Sequence, residues 1–104
     1  MNINEENLKM KISKSANKFI RERNIEDVTF NLIEQEVAGC CVGIVKEIKP
    51  IYKAPSDASR YRYIQADDCH IFISRKIKII GPLTLTTEGL WNKRLFLSGA
   101  IAPV

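Results

Sequence analysis

The chain has 104 residues and a mass of 11.8 kDa, 45% hydrophobic and 27% charged, the size and make-up of one small globular domain (1–104) rather than of a disordered or fibrous chain. Its most apolar stretch, residues 77–85, is interrupted by Lys78, Gly81 and Pro82, short of the roughly 18 apolar residues of a membrane helix. The start is polar and acidic where a signal peptide would be basic and then apolar, so a cytosolic protein with no membrane partner is expected.

The net charge of +4 is concentrated in residues 41–80, with eight positive and four negative side chains. These cations lie in stretches that read as strands, with no arginine-rich run and no RNA-binding sheet signature. Solvated strand faces are expected there, not a nucleic-acid surface.

In chain order, residues 1–9 read as a polar leader and residues 10–12 as a short strand. Ser13 or Ser15 can cap a helix over residues 14–23, because Ala16, Phe19, Ile20 and Arg23 recur at helical spacing. Asn24 is a natural stop. From residue 25 the period falls to two. Val28, Phe30 and Leu32 alternate with polar residues as on a half-buried strand. Residues 42–52 read as the next strand, with Pro50 marking an edge. Residues 53–59 have loop composition. Strands follow at 60–64 and 69–73, separated by an Asp67-Asp68 turn, and residues 75–80 fit a strand or a short helix. Gly81-Pro82 reads as a break, residues 83–87 as β-prone, Glu88-Gly89 as a turn, residues 90–97 as the last strand and residues 98–104 as a tail. The expected fold class is α+β, one short N-terminal helix on a mainly antiparallel set of short strands, as a sheet or sandwich.

Three cysteines do not make a disulfide framework, which pairs an even set in an oxidising compartment. Two are adjacent, in Gly39-Cys40-Cys41-Val42-Gly43. Neighbours on a strand point to opposite faces, so a shared site needs a turn, which Gly39 and Gly43 would permit. A bond between them would be strained. Adjacent Cα atoms sit about 3.8 Å apart, below the roughly 4.4–6.8 Å of a relaxed disulfide. Such a bond suits a switch better than a staple, and a reactive thiolate would need nearby cations. Cys69, in phase with Ile71 and Ile73, reads as a buried strand residue and also as a possible third thiol, and His70 as a surface residue. Cys40, Cys41, Cys69 and His70 are ligand types for zinc or iron, but no C-x-x-C spacing is present. Asp67-Asp68 reads as a turn rather than paired catalysis, and Tyr61, Tyr63 and Trp91 as packing rather than base-stacking.

The leading short strand, the Ile12-Ser13-Lys14-Ser15-Ala16 helix start, the glycine-flanked cysteines and Glu88-Gly89-Leu90 followed by Leu95-Phe96-Leu97 resemble the HesB-like (A-type iron–sulfur carrier) family from residue 10 to about residue 100. That resemblance implies a HesB-like fold and iron or iron–sulfur binding by the first motif cysteine with a C-terminal cysteine pair. The end of this chain, from Ser98 to Val104, has no cysteine. The sequence is closer to a branch with a Cys-Cys motif in which some members resemble selenoproteins, and this implies thiol or selenol chemistry. Cys40 and Cys41 are therefore the expected site, for thiol redox or sulfur handling that requires no cofactor, with a redox or sulfur-transfer protein as partner. The alternatives are an iron–sulfur, iron or zinc carrier with a site shared across a homodimer, and a non-catalytic interaction domain with buried thiols.

Overall fold

The computed structural model describes residues 9–37, 43–66 and 68–103. Ser13 opens helix α1 (Lys14–Glu22) by accepting at its Oγ from the Ala16 N–H, 3.1 Å, which satisfies an otherwise orphan donor. The helix stops at Asn24, whose φ of 53° is left-handed, while the Ile25 N–H returns to the Ile20 carbonyl at 3.0 Å. Its apolar stripe buries Ala16 and Phe19. The Arg23 guanidinium lies 4.3 Å above the Phe19 ring.

Among the described residues, seven strands make up two sheets. β1 (Met10–Ile12), β6 (Lys78–Glu88) and β7 (Arg94–Ile101) form the first, in the order β1-β6-β7. β2 (Asp27–Val37), β3 (Gly43–Ile51), β4 (Tyr61–Ala66) and β5 (Cys69–Ser74) form the second, in the order β3-β2-β5-β4. A short 3-10 turn, Ala58–Arg60, precedes β4. Alternation aims one face of each strand inward. Val28, Phe30, Ile71 and Ile73 from the second sheet share one core with Leu83, Leu85, Leu95 and Leu97 from the first and with Phe19 of α1. Each such side chain contributes about 1.5–3 kcal/mol on burial.

The α+β class with a mainly antiparallel arrangement is overturned. Among the described residues 60% are in strands and 14% in helix, and both sheets are mixed. β1 runs parallel to β6 and β2 parallel to β5. Hairpin adjacency in sequence argues for antiparallel neighbours, but here β3 and β4 intervene between β2 and β5 and send the chain back in the same direction. The last strand also begins later than expected, at Arg94, and runs on to Ile101 through residues read as a tail.

Gly81-Pro82 does not end a strand. β6 passes through it with a shift in register, pairing Ile79 with Ala100 and then Thr84 with Ser98. Proline lacks the N–H a ladder needs, so a bulge is where a sheet accepts it. Gly99 stands opposite, with φ +91°, and a Cβ there would lie 2.2 Å from the Pro82 carbonyl oxygen.

Candidate functional site

Gly39, Cys40 and Cys41 fall in the segment 38–42 joining β2 to β3, which lies outside the described residues. The structure describes what carries that segment. β2 and β3 pair antiparallel without interruption from Thr29–Ile51 to Val37–Gly43. β5 accompanies β2 only from Asp27 to Phe30. Beyond that point β2 has a strand partner on one side alone, so residues 31–37 and 43–49 form a two-stranded ribbon reaching past the four-stranded body. Ile33, Glu34 and Gln35 on one strand and Gly43, Ile44 and Val45 on the other are exposed.

Gly43 does not bend the chain. It is the first residue of β3, opposite Val37, without the positive φ seen at Gly89 and Gly99. A Cβ there would meet nothing within 4 Å, and nothing in the structure explains a glycine at this position.

The cations of the ribbon are engaged by carboxylates. Lys46 stands opposite Glu34 and pairs with it at 3.8 Å. Lys49 pairs with Glu47 at the same separation. Lys46 is the nearest described cation along the chain to Cys41, and Glu34 holds it.

Cys69 sits elsewhere. It opens β5, 2% exposed, inside the core, and burial followed by the Asp27 charge pushes its thiol up to about 11. His70, the next residue, is level with Asp27 on β2, and Val37 is ten residues further along that strand. At about 3.3 Å per residue the separation is about 33 Å. Cys40 is three residues from Val37 and from Gly43, a reach of about 11 Å at full extension. Cys69 thus lies at the far end of β2 from Val37 and Gly43, between which the cysteine pair falls in the sequence.

His70 is half-buried on the opposite face of β5 from Cys69. Its Nδ1 and the Tyr63 hydroxyl share a hydrogen bond of 2.5 Å, and the two rings stack. Tyr61 donates to Asn31 Oδ1. Among the described residues no three His, Cys, Asp or Glu side chains are grouped to hold a metal ion. No described helix is long and apolar enough to cross a membrane. Asp67 lies outside the described residues, and Asp68 is in the turn before β5.

Sequence reasoning missed a cleft of about 280 Å³ between β3 and β7, the edge strands of the two sheets. Phe30, Ile48 and Leu97 supply apolar lining, and Lys46, Glu47, Glu88 and Arg94 supply charge. The Arg94 guanidinium donates to Glu88 at 2.6 Å and to Glu47 at 3.2 Å. The available signal was the oppositely charged pair, Glu88 and Arg94, flanking Gly89: read as cross-strand partners, they would have closed a hairpin and put Leu90 and Trp91 in its turn.

Residues 8–100 match the family model described as CC/Se motif containing family. No curated protein and no solved structure matches the chain. The match upholds the Cys-Cys part of the resemblance read from the sequence; nothing shows the HesB-like part.

Proposed function

The chain belongs to the CC/Se motif containing family, and on that premise we propose that Cys40 and Cys41 are its working site, a vicinal thiol pair for redox or sulfur-handling chemistry with a protein partner. The observation that carries this reading is the ribbon. The segment bearing the pair is joined to a two-stranded arm that outruns the neighbouring strand β5 and is exposed at residues 33–35 and 43–45, a support suited to reaching a thiol or disulfide on another protein. The family's name couples the cysteine pair with selenium. Selenium substitutes for sulfur with advantage where the atom attacks or leaves, which is the work of a redox thiol.

In the reaction one cysteine thiolate attacks a disulfide sulfur of the partner, and the partner's other sulfur leaves as a thiolate. The neighbouring cysteine then attacks the mixed disulfide. This releases the second partner thiol and leaves Cys40 and Cys41 joined, oxidised by two electrons while the partner is reduced by two. Strain in a bond between adjacent residues raises the potential of the pair, so the exchange runs in this direction on a partner disulfide that is more oxidising still, and in reverse on the thiols of a more reducing one.

The test is intact mass and peptide mapping of the reduced chain before and after mild peroxide. Two thiols give two protons and two electrons, and one peroxide becomes two waters. The expected result is a loss of about 2 Da confined to the peptide holding Cys40 and Cys41, reversed by dithiothreitol and absent from Cys40→Ser and Cys41→Ser. Three unchanged thiols would overturn the reading. So would iron or sulfide mass seen only in the native spectrum after anaerobic purification, which belongs to a carrier.

A further inference from the structure

Gly43 is costly to the fold and unused by it. It opens β3 in register with Val37, has no positive φ, and a Cβ built on it meets nothing within 4 Å. Glycine in a strand loses more backbone freedom on folding than any other residue and leaves no side chain to pack. What a bare position in a strand does offer is close approach by another backbone.

The main chain beside it is open. β3 lies at the edge of its sheet and, among the described residues, pairs with β2 alone. The Glu26 carbonyl accepts from the His70 N–H of β5, 2.8 Å, so even-numbered residues of β2 turn their main chain to β5 and odd-numbered ones to β3. Through the unbroken register, Val37 with Gly43 and Gln35 with Val45 are then the hydrogen-bonded pairs. The N–H and carbonyl of Ile44, between them, point away from β2. Ile44 is 62% and Val45 50% exposed, and the β3–β7 cleft begins only at Lys46. An antiparallel strand added here would bond Ile44 and face Gly43 in a non-hydrogen-bonded pair, the closer kind, with Cα atoms about 4.5 Å apart. At that separation a side chain on residue 43 would crowd the residue opposite, and glycine leaves the room.

Resting on the reading that Cys40 and Cys41 exchange with a partner's disulfide, we propose that Gly43 selects the substrate class. That class is a disulfide carried in an extended polypeptide segment, which adds as an antiparallel strand to Gly43–Val45 with its bonded cysteine opposite Gly43. A disulfide-bonded cysteine is bulky, because it carries a second chain, and the bare backbone at residue 43 admits it. Cys41 is two residues away, a reach of about 7 Å at full extension, so the pairing sets the disulfide next to the segment that holds the cysteines. Three paired residues are also what β1 makes with β6 in this fold. Main-chain bonds give affinity without fixing the sequence, so the segment is recognised by its extended form.

The test gives the reduced full chain two probes with the same leaving group, thionitrobenzoate, whose low thiol pKa drives the exchange forward. One is N-acetylcysteine and the other an unstructured peptide of about ten residues with a single central cysteine, each as its mixed disulfide. A thiolate of the chain attacks the probe's cysteine sulfur and thionitrobenzoate leaves. The neighbouring cysteine then closes the pair and frees the probe's thiol. The pair is oxidised by two electrons and the probe is reduced by two. The expected result is that the peptide reacts roughly 10- to 100-fold faster than N-acetylcysteine at equal concentration, the scale on which positioning changes rates. Gly43→Val should bring the ratio of the two rates close to one, and Gly43→Ala should lower it part of the way. Thermal unfolding checks that both variants fold. Equal rates on the two probes with the pair closing, or a ratio that both variants keep, overturn the role of Gly43 and leave the exchange chemistry standing. Release of thionitrobenzoate without a loss of about 2 Da from the Cys40–Cys41 peptide, or no release from either probe, overturns that chemistry and the role of Gly43 together.

Discussion

Arg94 of β7 and Glu47 of β3 meet at 3.2 Å, an ion pair between the edges of two different sheets. The same guanidinium holds Glu88, its partner within the hairpin, at 2.6 Å. The hydrogen bonds it donates, to Glu88 first and Glu47 second, keep the Arg94 pKa above its ordinary value.

All three side chains are about two-fifths exposed, so solvent screens the interaction. A double-mutant cycle on Arg94→Gln and Glu47→Gln, followed by urea denaturation, should give a coupling of about 0.5–1 kcal/mol that shrinks as salt is added. Strictly additive losses would mean that the contact does not fasten one sheet to the other.

Cys69 makes stability depend on alkaline pH. Its thiol is raised from 9.0 to about 11 by burial and by Asp27, so the folded chain keeps a proton that the unfolded chain releases. Stability from this group is complete below pH 9 and is lost as pH rises through 11. A shift of that size is at most about 2–3 kcal/mol. Cys69→Ala should lower stability at neutral pH by leaving a small cavity, and should flatten the fall between pH 9 and 11. An unchanged slope in the variant would trace the fall to other groups. In the folded chain at pH 7.5, Cys69 should resist maleimide labelling and react only on unfolding.

Two glycines should respond in opposite ways to alanine. At Gly99 a Cβ would meet the Pro82 carbonyl oxygen at 2.2 Å, in a backbone at φ +91°. The substitution must move the bulge, at a cost of roughly 2–4 kcal/mol. At Gly43 the added methyl finds open space, and the change should lie within about 0.5 kcal/mol of zero, or slightly stabilise by restricting the unfolded chain. Thermal unfolding of both variants checks the contrast. Equal losses at the two sites would refute it.

Local chemistry was legible in the sequence. The Ser13 cap and the Asn24 stop lie where their side chains and conformational preferences put them, and the alternation of Val28 with Phe30 and of Ile71 with Ile73 marks the buried face correctly. What was lost is what alternation does not encode. Period two says which face a residue takes but not which strand lies beside it, so the parallel pairing of Asp27 with His70 left no trace. Gly81-Pro82 reads as punctuation because the proline cannot donate to a ladder, yet a bulge opposite Gly99 satisfies the same constraint without ending the strand. Cys40 and Cys41 stand out in the sequence but lie outside the described residues, and the structure adds the paired strands, ending at Val37 and Gly43, that flank them.

The pairing of β1 with β6 has a consequence for the order in which the molecule is made. Met10 lies against Leu83, and Ser13, 73 residues before Thr86, donates to its hydroxyl. Closing so long a span is slow, because its entropy must be met before the contact rewards it. During synthesis β1 emerges with no edge to join and must wait until β6 has left the ribosome. A strand translated ahead of the other six is thus among the last to be seated, and until then the β6 edge stands open to strangers.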